Sequence, residues 1–83
     1  MLKGETLTMT DIKIRLNTIA DVNSFVATVS RVPYECDIVS GRYVVDAKSI
    51  MGILSLDSSK ELDLHIYSDD CAALLEQLKP YIV

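Results

Sequence analysis

The sequence predicts an α+β fold, an open-faced two-layer sandwich in which three helices cover one face of a four-stranded antiparallel sheet. Two segments alternate strictly between apolar and polar residues, which is typical of strands with one buried face. Other segments repeat apolar residues at helical spacing. A Ser-Gly pair separates two further β-rich segments, as in a hairpin. The predicted order is therefore β-α-β-β-α-β-α, in the single domain that 83 residues can form.

The strands are predicted from four short segments. "DIKIRL" and "ELDLHIY" carry the strict alternation, while "YECDIVS" and "RYVVDA" flank a hairpin turn at Ser40 and Gly41. Alternation indicates that one face of the sheet is buried and the other is solvated. The apolar residues that we expect to face the helices from the alternating strands are Ile12, Ile14, Leu16, Leu62, Leu64 and Ile66.

The first helix is predicted within "NTIADVNSFVATVSRV". Thr18 stands at the N-cap position, and Asp21 three residues later completes a capping box. We expect the helix to end near Val32, because Pro33 disfavours the α conformation of the residue before it. The apolar residues at helical spacing are Ile19, Val22, Val26 and Val29, with Phe25 beside them.

The last helix is predicted in "SDDCAALLEQLK", with Ser68 or Asp69 as its N-cap and Pro80 as its stop. The residues before the second methionine, Met9, show no apolar periodicity. We therefore predict an N-terminal extension over residues 1–9 and one domain over residues 10–83.

Charge and hydropathy exclude several functional classes. The net charge is −4 and no lysine or arginine cluster is present, so binding to nucleic acid or to an anionic membrane is not expected. No apolar run approaches the roughly 20 residues of a membrane span, and no signal peptide is recognisable. These features predict a cytoplasmic protein. Cys36 and Cys71 are expected to be reduced in that compartment.

Residues that could carry out catalysis are few. The single histidine, His65, lies in mid-strand on the face assigned to solvent, where no pocket or orienting partner is expected. No metal-ligand spacing and no glycine-rich phosphate loop is present. We therefore predict that the protein is not an enzyme, that it has no catalytic residue, and that it uses neither a metal nor another cofactor.

The segment "DAKSIMGILSLDSS" carries the main functional signal. Ser49 stands at the N-cap of a short helix that begins with "IMGILSL". Ile50, Met51, Ile53 and Leu54 point in nearly every direction around that helix, so part of this apolar surface should remain exposed and bind a partner. Phosphorylation of Ser49 would add about two negative charges beside that surface. The alternative is a capped helix whose exposed residues have no partner.

The run "AKSIMGILSL" resembles the segment around the regulatory serine of HPr, the small phosphocarrier of the bacterial sugar phosphotransferase system. The resemblance extends from about Thr10 to Tyr81 and includes the order of elements. It implies the HPr fold and makes Ser49 a candidate acceptor of phosphate from an ATP-dependent kinase. It also implies that the modified protein acts together with a transcription regulator.

The resemblance is weaker at the site that defines the family, a histidine at the start of the first helix in a setting like L-H-x-R-P-A. Ungapped alignment from Ser49 places Thr18 at the histidine, Ala20 at the arginine and Asp21 at the proline. Threonine has no nitrogen nucleophile, and Asp21 would repel a phosphoryl group.

These observations favour an HPr-like protein without the active histidine, acting as a regulatory or protein-binding domain through the Ser49 helix. The expected partners are proteins, namely a kinase or a transcription regulator. One alternative is a phosphocarrier variant that receives phosphate on another residue. A second is a structural or dimerisation module that buries the apolar residues between Ile50 and Leu54, and the sequence allows either a monomer or a weak homo-oligomer.

Overall fold

A computed structural model describes residues 10–56, 60–68 and 70–83. The elements run in the predicted order, and the α+β class is confirmed. The strands are β1 (Thr10–Ile14), β2 (Cys36–Ser40), β3 (Tyr43–Asp46) and β4 (Leu62–Ile66). The helices are α1 (Ile19–Val29), α2 (Ile50–Leu54) and α3 (Ala72–Leu78), and α3 continues into a 3₁₀ turn at Lys79–Tyr81. The proposed extension over residues 1–9 lies outside the described residues.

The four strands form one antiparallel sheet in the order β1-β4-β2-β3. Ile14 pairs with Leu62, and Leu64 pairs with Ile38, which in turn pairs with Val45 across the hairpin. Because side chains alternate along a strand, these pairs direct one set of apolar residues to the same face. That face carries the helices, so the predicted two-layer sandwich is confirmed.

The core lies between the sheet and the helices. Phe25 of α1 is fully buried and meets the ring of Tyr81 edge-on, with 5.9 Å between the ring centroids. Ile12 is half-buried, and the other five strand residues predicted to face inward are fully buried. Ile19, one of the apolar residues at helical spacing in α1, lies outside the core, because 66% of its surface is exposed. A helical side chain points back over the preceding turn, and Ile19 is the first residue of α1, so it has no such turn to cover.

Two helix ends differ from the prediction. α1 ends at Val29 rather than near Val32, because the N–H of Val32 turns back to the carbonyl of Val29 at 3.3 Å in a tighter final turn. α3 begins after Cys71, and Ser68 does not cap it. The Ser68 hydroxyl instead accepts a hydrogen bond from the N–H of Asp70 at 3.0 Å.

The other candidate cap of α3, Asp69, lies outside the described residues. α3 stops at Leu78, two residues before Pro80, as expected for a residue that cannot continue a helix. No helix among the described residues has the length and apolar character needed to cross a membrane.

The two edges of the sheet differ in their surroundings. At the β1 edge, Ile82 forms a bridge with Ile14, and the N–H of Val83 donates to the carbonyl of Lys13 at 3.1 Å. The C-terminal residues therefore cover the end of β1. β3 forms the other edge and pairs only with β2 among the described strands.

Candidate partner-binding site

The candidate site is built around α2, which begins directly after strand β3. A tight turn joins the two elements, since the Asp46 carbonyl accepts from the N–H of Ser49 at 3.0 Å. The Asp46 carboxylate also accepts from the N–H of Lys48 at 2.9 Å. These bonds fix the direction in which the chain enters the helix.

Ser49 is the N-cap of α2, as predicted. Its backbone is extended, and its hydroxyl oxygen accepts from the N–H of Gly52 at 3.1 Å. The first intrahelical bond runs from the N–H of Ile53 to the Ser49 carbonyl at 3.1 Å. Within the described residues, the N–H groups of Ile50 and Met51 make no hydrogen bond, as is usual for the first turn of a helix. A phosphoryl group on Ser49 would therefore lie close to two unused donors.

Gly52 lets the helix approach the sheet closely. A β-carbon at this position would lie 3.2 Å from Cβ of Val45 and 3.4 Å from the Ser49 hydroxyl oxygen. The resulting contact between α2 and β3 drives the next residue, Ile53, into the core. The glycine in "SIMG" therefore has a packing role as well as a place in the sequence motif.

The exposed apolar residues of α2 form what we call the α2 patch: Ile50, Met51 and Leu54. Met51 has 78% of its surface exposed, and the other two are exposed to a smaller extent. The prediction that Ile53 contacts a partner is wrong, because this side chain is fully buried. Only one side of a five-residue helix faces the sheet, and Ile53 occupies that side.

An exposed residue that the sequence pattern did not indicate lies on the neighbouring helix. α1 and α2 pack against each other, and Ile19 at the start of α1 is exposed. Its helical spacing relative to Val22 is typical of a core position. The signal that could have identified it is its place directly after the N-cap, where no preceding turn exists.

Lys48 supplies a positive charge next to the Ser49 cap in the chain. Its amine donates to the carbonyl of Val32 at 2.9 Å, and its side chain is half-buried. The bond links the turn before α2 to the segment after α1. The Val32 carbonyl lies beyond the end of α1 at Val29, so it has no donor within the helix.

Thr18, the position aligned with the family histidine, is the N-cap of α1. Its hydroxyl accepts from the N–H of Asp21 at 3.0 Å. The Asp21 carboxylate accepts from the N–H of Asn17 at 3.1 Å, one residue before the usual capping-box partner. A carboxylate at this helix end stabilises the helix but opposes a second anion there.

The histidine and the two cysteines do not form a further site. His65 lies on the open face of the sheet with Nδ1 3.7 Å from the Asp11 carboxylate. Both thiols are free and buried, and burial raises the pKa of the Cys36 thiol to about 11. No group of three potential metal-ligating side chains occurs in the part of the chain that the structure describes.

The fold and this site define a small domain with a helix-covered sheet and a short helix that is capped by a serine and has exposed apolar residues. The family model described as "PTS HPr component phosphorylation site" matches residues 21–82. The chain therefore belongs to the HPr family of the phosphotransferase system, as the resemblance predicted. The matched range includes Ser49 and the α2 patch and begins three residues after Thr18.

The fold is similar to that of solved HPr structures. HPr-C-His from Thermoanaerobacter tengcongensis is 28% identical, with a TM-score of 0.68 and 89% of each chain covered. The phosphocarrier protein HPr from Bacillus anthracis strain Ames is 24% identical, with a TM-score of 0.67 over 92% of this chain and 99% of that one. None of the curated protein sequences matches this chain significantly.

Proposed function

We propose that this chain is a regulatory, protein-binding member of the HPr family and that Ser49 is its phosphoacceptor. The observation that carries the proposal is the position of the Ser49 hydroxyl at the cap of α2, directly beside the exposed α2 patch. A modification at Ser49 therefore changes the charge next to the surface that would meet a partner.

The modification would be a transfer of the γ-phosphoryl group of ATP by a kinase. The Ser49 Oγ–phosphorus bond forms, the bond from phosphorus to the β-phosphate oxygen of ATP breaks, and the hydroxyl proton is released. The product carries about −1.5 to −2 charges at neutral pH. The N–H groups of Ile50 and Met51, which make no hydrogen bond to the described part of the chain, would donate to the phosphoryl oxygens, and the helix dipole favours the same placement.

The phosphoryl group would select between partners. A partner with an apolar groove would bind the unmodified α2 patch, in which Met51 is the most exposed residue. A partner that also presents arginine or lysine would bind the phosphorylated form more strongly. The family resemblance suggests a transcription regulator as this second partner and a kinase as the first protein to contact the site.

The carrier function of the family is absent in this proposal. The position aligned with the active histidine is Thr18, whose hydroxyl is already a helix cap, and Asp21 adds a negative charge three residues later. His65 lies in β4 opposite Asp11 near the start of β1, whereas α1 follows the other end of β1. The proposed role is therefore not enzymatic and needs no cofactor. Because the kinase uses ATP, the proposal places the protein in the cytoplasm.

Intact mass after incubation with ATP and an HPr kinase tests the proposal. We expect one added phosphoryl group in the wild type and in Ser55→Ala, which removes the serine at the other end of α2. Ser49→Ala should remain unmodified. A chain that gains no phosphoryl group, or that gains it equally in Ser49→Ala, would contradict the proposal.

A second experiment separates the regulatory role from the carrier role. We expect no acid-labile phosphate after incubation with phosphoenolpyruvate and the first enzyme of the phosphotransferase system. A phosphohistidine or another acid-labile adduct would favour the phosphocarrier variant. Partner binding that is identical for wild type and Ser49→Asp would contradict the switch.

A further inference from the structure

Strand β3 lies at an edge of the sheet. Its register with β2 pairs Ile38 with Val45 and Val39 with Val44. The N–H of Ala47 donates to the carbonyl of Cys36 at 2.9 Å, so these two residues form a hydrogen-bonded pair. Hydrogen-bonded and non-hydrogen-bonded pairs alternate in an antiparallel ladder. The N–H and carbonyl of Val44 therefore point away from β2, toward the open edge.

The side chains along this edge are accessible. Tyr43 has 64% of its surface exposed and Val44 has 62%. Both residue types favour strands. Among the described residues, no backbone hydrogen bond outside the ladder uses Val44. Beside the edge lies a cavity of about 700 Å³, lined in part by Tyr43, Ser55 and Leu56. An added strand would have both backbone partners and room for side chains here.

The charges on this edge are complementary to themselves. In an antiparallel pairing of two copies about a two-fold axis at Val44, Arg42 in the hairpin turn of each copy comes close to Asp46 at the end of the other copy's β3. Tyr43 then stands opposite Val45. Shifting the register by two residues in either direction keeps the backbone bonds but places Arg42 or Asp46 opposite Val44 instead. The centred register is therefore the one that pairs both sets of charges.

A second feature favours a cation beside Asp46, on the side that faces away from β2. Within the sheet it stands opposite Asp37, a directly facing pair of like charges that destabilises the ladder. Asp37 also accepts from the hydroxyl of Tyr67 at 3.0 Å, which holds it on the same face. A guanidinium on the other side of Asp46 would offset that repulsion.

We infer that the β3 edge binds a second copy of this chain, forming an eight-stranded sheet across a two-fold axis at Val44. The contact uses only one short strand from each copy, and we expect it to bury less than the roughly 1,200 Å² at the lower end of standard interfaces. The dimer should therefore be weak and depend on concentration. None of the three residues of the α2 patch lines the cavity beside this edge. The inference is independent of phosphorylation at Ser49.

Sedimentation velocity of the full chain at low salt, from about 10 µM to about 1 mM, tests the dimer. We expect the sedimentation coefficient to rise with concentration toward the dimer value. Arg42→Glu and Asp46→Lys should each raise the dissociation constant by about tenfold or more, because each places two like-charge pairs across the axis. An equimolar mixture of the two variants should recover the dimer, since both pairs are then opposite in charge.

The backbone contact is tested separately at Val44. Val44→Pro removes an N–H that the β2 ladder does not use, so the fold should persist while the dimer is lost. Val44→Thr keeps the N–H and the β-branched shape and should keep the dimer. A chain that stays monomeric over the whole range would overturn the inference. A dimer that persists in Val44→Pro and in both charge variants would also overturn the inference. The same holds for a dimer that only Met51→Asp dissociates, because either dimer would use another surface.

Discussion

The β-carbon that an alanine would add at Gly52 lies 3.2 Å from Cβ of Val45. Helix α2 therefore rests against strand β3 at a distance that only glycine allows without a shift. The atom on the other side is a β-carbon fixed to the backbone of a paired strand, so it cannot rotate away. This contact sets how deeply Ile53 enters the core and which face of α2 remains outside.

We expect Gly52→Ala to lower the free energy of unfolding by about 1 kcal/mol. Overpacking costs roughly 1–3 kcal/mol, which exceeds the roughly 1 kcal/mol that alanine contributes over glycine in a helix. Urea denaturation measures the change, with Met51→Ala in the same helix as the matched control. A variant as stable as wild type would show that α2 can move away from β3 freely.

Ser49→Ala removes the hydroxyl that accepts from Gly52, and we expect a loss of about 1 kcal/mol in the free energy of unfolding. Ser49→Asp should keep most of the stability, because aspartate is as good an N-cap as serine. Urea denaturation of the two variants measures the stability that the cap contributes, apart from any role of Ser49 as a phosphoacceptor. Equal stability of all three proteins would mean that the cap contributes nothing to folding.

Ile53 and Met51 should respond very differently to truncation, although both stand in "SIMGIL". Ile53→Ala leaves a cavity in the core and should cost about 2–5 kcal/mol of stability. Met51→Ala should change stability by less than about 0.5 kcal/mol, because the side chain is exposed. Thermal unfolding followed by circular dichroism tests both. A larger loss of stability in Met51→Ala than in Ile53→Ala would contradict the described orientation of α2.

The buried thiol of Cys36 should make the free energy of unfolding depend on pH. Burial raises the pKa of its thiol from 9.0 to about 11, so the folded state favours the protonated form. The full contribution is present below pH 9 and is lost as the pH rises toward about 11, because the unfolded chain ionises first. Relative to Cys36→Ala, the wild type should lose stability across that interval.

Urea denaturation of both proteins at several pH values isolates this contribution from the titration of lysine and tyrosine residues. A constant difference between wild type and Cys36→Ala from pH 8.5 to about 11 would contradict it. The same burial predicts slow reaction of Cys36 with a thiol reagent in the native protein and fast reaction in urea.

The strands and the element order follow from the sequence because alternation is a direct consequence of strand geometry. Leu62, Leu64 and Ile66 had to share a face, and all three are fully buried. Helix ends depend on more distant contacts. Pro33 allowed α1 to run to Val32, but the chain turns at Val29 and the amine of Lys48 binds the Val32 carbonyl, a contact between residues far apart in sequence.

The candidate site was predicted in part. The Ser49 cap follows from local residue preferences and is present in the structure. The orientation of α2 was not predictable, because four apolar residues in five positions do not indicate which one faces the sheet. Gly52 decides it through its contact with Val45, and that contact depends on how the hairpin and the helix come together.

The C-terminal residues have a consequence for assembly. The backbone carbonyl of Tyr81 accepts at 2.8 Å from the N–H of Arg15, and the N–H of Val83 donates to the carbonyl of Lys13. A strand that bound beside the end of β1 would therefore have to displace this segment. Growth of a sheet into a fibre requires two adhesive edges on every molecule. Here one edge is obstructed by the chain itself, and joining two β3 edges consumes the other. Association through the sheet is thereby self-limiting at two copies.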